Sequence, residues 1–320
     1  MVLVFARTYF ILTIDMAASR DQHATKDLEV FRPLLETPIE QDIDPNALHI
    51  ATNTLPFISI PGVFNFRDLG HHPRLKQGLL YRSGTLFTVE PAGINMLIND
   101  LNVRTVFDFR SSGERKAFAF PELENDKGSI AVHWEPSDTP AETNISDFVD
   151  LETESHLWHG GARGFSKMYL DTLEVHKASF RAVLQHVLLR PHEPIVFNCT
   201  AGKDRTGVMA ALVLTLADVP DHEIAADYAL SRIGIESRKE FLTGIIRMWK
   251  PDWTSETAGM RGFSNVRPEY MAQFLHDARI KYADIRGEGN WAAQYAHHDL
   301  GFELHDVDTI RANMQPSQVE

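Results

Sequence analysis

Val196-Phe197-Asn198-Cys199-Thr200-Ala201-Gly202-Lys203-Asp204-Arg205-Thr206-Gly207-Val208 is the stretch around which the rest of the chain is organised. Ile195-Val196-Phe197 is a short apolar run, the pattern of a strand buried on both faces. Val208 to Leu216 is apolar almost all round and predicts a buried helix. The residues between them form a tight loop that feeds a helix start. Such a start presents unpaired backbone N–H groups and a partial positive charge, which together attract an anion. Ala201 and Gly202 are small enough for the loop to curl with its amides facing inward.

Cys199 lies at the base of that curl. Cationic surroundings and a helix N-terminus favour the thiolate form of a cysteine, so Cys199 is the expected nucleophile. A thiolate directly below a bound phosphate monoester can attack phosphorus in line. Arg205 can grip two non-bridging oxygens with its planar fork, a geometry that lysine does not match. The same fork would stabilise equatorial charge in the transition state. Thr206 places a hydroxyl where it could stabilise the departing thiolate in a second step. A cysteine and an arginine at this spacing are a weak sign by themselves. Their position on a strand–loop–helix junction, with Gly202 and Gly207 allowing the curl, strengthens it.

Outward from the loop, strands are predicted at Leu79 to Ser83, Val103 to Phe109 and Ser129 to Trp134, with a helix near Pro91 to Leu101. Glu135 to Gly164 reads as a long polar loop. Phe165, Met168, Tyr169, Leu173, Phe180, Val183, Leu184 and Val187 recur at helical spacing and predict a long amphipathic helix with a break, its aromatic residues in the core. Asp221 is the expected N-cap of a helix through Ser231. Further helices are expected near Glu236 to Lys250, Pro268 to Asp284 and Asp306 to Met314. Strands alternating with helices, then helices alone, predict an α/β fold. Its central, mainly parallel sheet is flanked by helices and carries a helical C-terminal part. Right-handed crossovers would gather the strand ends on one side, where a ligand site normally sits.

The chain has 320 residues, of which 43% are hydrophobic and 23% charged, which excludes disordered and collagen-like classes. A formal charge of −13 argues against nucleic acid and anionic membrane surfaces as partners. It leaves room for one local basic pocket. One cysteine rules out an intramolecular disulfide and a cysteine zinc cage, and it fits a reducing, cytoplasmic location. Residues 1 to 14 are apolar around Arg7, too short to span a membrane and charged in the wrong place for a secretory signal. Met16 would be a normal beginning, with a cleaved targeting peptide as the other reading. Residues 20 to 60 hold four prolines, with Pro61 just beyond, and read as an irregular arm with one helix near Asp27 to Leu35. The expected division is residues 1–56 as N-terminal extension and 57–320 as the catalytic domain. His156 and His159 lack a third ligand at motif spacing and read as loop surface. His71-His72 and His297-His298 are also expected in loops, and Asp150 to Glu154 as a solvated acidic loop. No metal or organic cofactor is expected.

Cys199 through Gly207 resembles the signature of the cysteine-dependent protein tyrosine phosphatases: Cys, five residues, Arg, then Ser or Thr. The fuller string is similar to the atypical bacterial and fungal tyrosine/serine phosphatases. Three further stretches resemble that branch in the same order. They are Asn65-Phe66-Arg67-Asp68-Leu69-Gly70 with Leu80-Tyr81-Arg82-Ser83-Gly84, then Val106-Phe107-Asp108-Phe109-Arg110-Ser111 with Glu114, and Asp227-Tyr228-Ala229-Leu230-Ser231. The resemblance covers roughly residues 57 to 315. It implies hydrolysis of phosphate monoesters (phosphotyrosine, with phosphoserine or phosphothreonine) through a thiophosphoryl-cysteine, on a phosphorylated protein or a small phosphate ester. Thr200, Ala201, Gly202, Lys203 and Arg205 would then cradle the phosphate. One position departs: the branch has His before the cysteine and this chain has Asn198, so Asn198→His is expected to raise turnover.

Ester cleavage also needs a proton for the leaving oxygen. The resemblance implies Asp204, inside the loop. Asp138, in Trp134-Glu135-Pro136-Ser137-Asp138, follows a strand and is the alternative loop acid. Arg67, Arg82 and Arg110 either ring the pocket, Arg67 and Arg110 as further phosphate ligands, or pair with carboxylates such as Asp68, Asp108 and Glu114. Two other functions stay open: a phosphoinositide phosphatase on the same loop, with Lys203 as an extra cation, or a phosphate-binding module impaired by Asn198.

Overall fold

The computed structural model describes residues 31–150, 159–283 and 290–316. The apolar start, Met16, the first residues of the expected helix near Asp27, most of the acidic stretch after Asp150, and His156 lie outside the described residues. No helix among the described residues is long and apolar enough to cross a membrane.

Seven short strands follow one another in the described residues: Arg67–Asp68 (β1), Leu80–Ser83 (β2), Thr105–Asp108 (β3), Glu124–Asn125 (β4), Gly128–Ser129 (β5), Ala131–His133 (β6) and Ile195–Asn198 (β7). Five of them form one sheet in the order β1-β2-β7-β3-β6, while β4 and β5 make a separate two-stranded ribbon. β1 runs antiparallel to β2, and every other neighbour in the large sheet is parallel. The predicted architecture is therefore the one found: a mainly parallel sheet flanked by helices.

The alternation of side chains sorts the sheet's residues between two cores. Leu80, Phe107, Ile195 and Phe197 join the core built with the helices His159–Val175, Lys177–Leu189, Arg205–Leu216, Asp221–Ala229, Pro268–Lys281, Trp291–His298 and Leu304–Met314. Tyr81, Val106 and Val196 point to the other face, against Leu97, Ile98 and Val103. Ile195, Val196 and Phe197 are all fully buried, because β7 is central and covered on both sides. Each such side chain contributes roughly 1.5–3 kcal/mol of burial, so the strand that delivers Cys199 is among the best anchored.

Several element boundaries differ from the sequence reading. The long amphipathic stretch is two helices, His159–Val175 and Lys177–Leu189, meeting at His176. The first helix starts inside the expected polar loop, at His159. Gly160, Gly161 and Gly164 suggested a loop, yet Phe148 and the Tyr270 ring pack directly on their backbone. Asp221 is the first helical residue rather than the cap: Pro220 is the N-cap, and its carbonyl accepts from Glu223 and Ile224. His297 and His298 close the helix Trp291–His298, which Asn290 caps by accepting from the N–H groups of Ala292 and Ala293. The arm carries two helices, Arg32–Glu36 and Pro45–Thr52, the second capped by Asp44. Phe31, Ile43, Ala51 and Phe57 pack with Leu230 and Ile233. Buried Arg232 donates to the carbonyls of Thr37, Pro38 and Gln41.

Candidate active site

The parallel strands end level with one another: Ser83, Asn198 and Asp108 are register partners. Cys199 follows Asn198 at that edge and is 1% exposed. The chain then curls through Thr200 to Asp204 into the helix Arg205–Leu216. The curl depends on Gly202, whose φ is +69° and whose Cβ, if present, would lie 2.4 Å from the Ser83 carbonyl oxygen.

The loop's carbonyls are tied on its outer side. Asn65 Nδ2 donates to the Ala201 and Gly202 oxygens at 3.0 and 3.1 Å. Arg82 donates to the Gly202 oxygen at 2.9 Å, and the Thr85 N–H to the Thr200 oxygen at 3.1 Å. Among the described residues, the backbone N–H groups of Thr200, Ala201, Gly202, Lys203 and Asp204 meet no backbone acceptor. Tied carbonyls beside amides that lack backbone acceptors are the pattern an anion nest requires.

Beneath the loop, Asp227 is clamped by Arg67 Nε at 2.9 Å and Arg82 at 2.5 Å, all three essentially fully buried. Arg67 also donates to the Asn65 side chain, the Asp227 carbonyl and Ser231 Oγ. Burial alone would push the Asp227 carboxyl up, but the two guanidiniums outweigh it and hold it well below the usual carboxylate range. Burial, aided by Arg82, brings Arg67 down to about 10, so it remains charged at neutral pH.

Above the loop stands Arg205. Its two terminal nitrogens each lie 2.6 Å from one oxygen of Glu114, and Nη1 also donates to the Phe109 carbonyl. Glu114 accepts from Thr200 Oγ1 as well, and from the Ser111 N–H at 2.8 Å. Glu114 and Ser111 form a capping box on the short helix Ser112–Ala117, which fixes the carboxylate's place. Burial raises the Glu114 carboxyl, while Arg205 lowers it further, to a net value well below the carboxylate range. His176 stands near this pair; burial, then Arg205, pushes its imidazole down to about 3, so it is neutral.

The other candidates fall into separate places. Asp204 Oδ1 accepts from Tyr169 Oη at 2.7 Å and lies 3.5 Å from Lys203 Nζ. Lys203 is 7% exposed and sits 4.4 Å from the Phe165 ring centroid. Thr206 is fully buried, and among the described residues its Oγ1 has no hydrogen-bond partner. Asp138 is held by Ser112, accepting from its N–H and its hydroxyl at 2.8 Å each. Arg110 is gripped by Asp108 and donates to the Phe118 carbonyl. Asn198 is buried in β7 and donates to Asp108 Oδ1 at 3.3 Å. The loop, Arg205, Thr206 and Asp204 thus come together, with Arg67 below them, while Arg110 is paired with Asp108 and Asp138 with Ser112. His71, His72 and Asp227 place ligand atoms within 4.8 Å of one another. Asp227 already serves two guanidiniums, whose charge opposes a metal dication there.

Asn65, Arg82, Asp227, Glu114 and Tyr169 organise the loop, and sequence alone gave them no firm role. The one local signal was Ser111-x-x-Glu114, a capping-box pattern. The others act across large separations in the chain, such as the 160 residues between Arg67 and Asp227.

Residues 58–315 match the family model described as the tyrosine phosphatase family. The chain is similar to the triple specificity protein phosphatase PtpB of Mycobacterium tuberculosis, 27% identical over 251 residues, covering 71% of this chain and 91% of that protein. It is also similar to a tyrosine-protein phosphatase of Nostoc commune, 40% identical over 70 residues, which is 22% of this chain and 24% of that protein.

Proposed function

This chain belongs to the tyrosine phosphatase family and is a protein tyrosine phosphatase-like hydrolase, and on that premise we propose that it hydrolyses phosphate monoesters through a thiophosphoryl intermediate on Cys199. The observation that carries this reading is the divided loop. Its carbonyls are fastened outward by Asn65, Arg82 and Thr85, while its amides, next to Cys199, lack backbone acceptors among the described residues.

In the first step the Cys199 sulfur attacks phosphorus. An S–P bond forms, the P–O bond to the leaving group breaks, and Asp204 gives that oxygen its proton. The loop amides and Arg205 hold the three equatorial oxygens, with Glu114 aligning the guanidinium. In the second step water attacks phosphorus, Asp204 takes a proton from it, and the S–P bond breaks. The Thr206 hydroxyl, whose buried oxygen has no hydrogen-bond partner among the described residues, donates to the departing thiolate. Arg67 acts from beneath, through Asn65 and Asp227, rather than on the phosphate.

The substrates in this reading are phosphotyrosine first, then phosphoserine or phosphothreonine, in a protein or a small ester. Lys203, the extra cation of a phosphoinositide reading, lies against Phe165 and beside Asp204, which weighs against that alternative. The cytoplasm, where a lone cysteine stays reduced, is the location that fits. Phosphate release from phosphotyrosine peptide, phosphoserine peptide and a soluble phosphoinositide, with Cys199→Ser as control, tests the proposal. Release from the phosphotyrosine peptide that Cys199→Ser abolishes is expected. Binding of phosphopeptide with no release would instead mark a binding module.

A further inference from the structure

Asp204 meets its described neighbours through one oxygen. Oδ1 takes the hydrogen bond from Tyr169 and faces Lys203. Among the described residues Oδ2 has no hydrogen-bond partner, and the side chain keeps 31% of its exposure. Tyr169 has a single hydroxyl proton, and a carboxylate can only accept. That proton therefore goes to Oδ1, and the 2.8 Å contact between Tyr169 Oη and Tyr228 Oη is a bond that Tyr228 donates. Both phenols stay neutral donors: burial first, then the Asp204 charge, pushes each well above the usual range.

The two rings have little freedom. Tyr169 lies between Phe165 and Phe274, with centroids 5.4 and 5.7 Å away. Tyr228 packs against Gly207 in the first turn of the Arg205 helix, where a Cβ would come within 3.2 Å of its ring. Both tyrosines are essentially fully buried, so their hydroxyls keep one alignment.

We propose that Tyr169 is a positioning residue for the acid: it reserves Oδ1, so that the proton delivered to the leaving oxygen rides on Oδ2, and Tyr228 holds the Tyr169 hydroxyl in line. This rests on Asp204 being the acid. As the P–O bond breaks, the O–H bond on Oδ2 breaks, its proton passes to the leaving oxygen, and the electron pair stays on the carboxylate. The bond from Tyr169 strengthens as that charge appears, so it favours the transition state over the ground state.

Kinetics with esters of poor and good leaving groups test this. Tyr169→Phe is expected to lower kcat on phenyl phosphate by about tenfold to a hundredfold, with KM and the rate on 2,4-dinitrophenyl phosphate unchanged. In an Asp204→Asn background it should add no further loss, since both changes act through one proton. Equal loss on both esters, or a full multiplicative loss in the Asp204→Asn background, overturns the proposal. If Asp204→Asn alone slows both esters equally, the acid assignment falls and takes this inference with it. If Asp204→Asn discriminates between them and Tyr169→Phe does not, only the role of Tyr169 falls. Should Tyr169→Phe fail to fold, Tyr228→Phe breaks the same chain one link out. The same ester-dependent loss is then expected, and its absence overturns the proposal.

Discussion

Two arginine–carboxylate systems bracket the loop. Below it, Asp227 sits between Arg67 and Arg82, sealed from solvent. Above it, Glu114 grips Arg205, whose side chain is 22% exposed. The chemistry is the same and the surroundings differ. A sealed pair cannot exchange partners, because an uncompensated buried charge is too costly. The lower system therefore fixes the shape of the loop through Asn65 and Arg82. The upper one keeps part of its surface exposed, and in the proposed reading its guanidinium, held in place by Glu114, meets the incoming phosphate.

The most direct way to break this contrast is to change the upper cation. Arg205→Lys keeps the charge and removes the fork, and kcat should fall by about a hundredfold to a thousandfold, the scale of losing an oriented transition-state donor. The urea midpoint should move little by comparison. A variant that unfolds while its folded fraction turns over normally would make Arg205 structural. The complementary change lies below. Asp227→Ala strands two buried guanidiniums and should cost about 3–5 kcal/mol of stability in urea denaturation. A loss under about 1 kcal/mol, typical of an exposed pair, would show that Asp227 is not the keystone of the lower layer.

Acid sharpens the contrast further. Asp227 and Glu114 have folded-state pKa values below their ordinary 3.8 and 4.5. Their contribution is full above those values and is lost as pH falls through them toward the lower folded values. His176 behaves differently. Its folded pKa of about 3 lies below the ordinary 6.5, so the unfolded chain takes up a proton first and stability starts to fall already below about pH 6.5. Urea midpoints measured from pH 7 to pH 3 should decline first through the buried imidazoles and only later through the two carboxylates. His176→Asn should reduce the early decline, which His71 and His186 share because burial also holds their imidazoles below the ordinary value, and leave the later one.

The loop itself was legible, since its chemistry is written in consecutive residues from Cys199 to Thr206. The sheet was legible for a similar reason: β2, β3 and β7 are short runs of buried residues that announce themselves locally. The supports were not. Nothing near Arg67 or Arg82 in the chain says that both meet Asp227, and Tyr169 reads as core because its ring is core. Only its hydroxyl reaches Asp204, a partner 35 residues away. The helix Trp291–His298 was readable, with apolar residues at 291, 292, 295 and 296, but the two terminal histidines suggested a loop.

The covalent step lends itself to a direct measurement. Rapid denaturing quench during turnover of a phosphotyrosine peptide, followed by mass spectrometry and phosphorus NMR, should find phosphate on the sulfur of Cys199. Phosphate on another residue, or undiminished turnover by Cys199→Ser with no phosphoenzyme at all, would contradict the account.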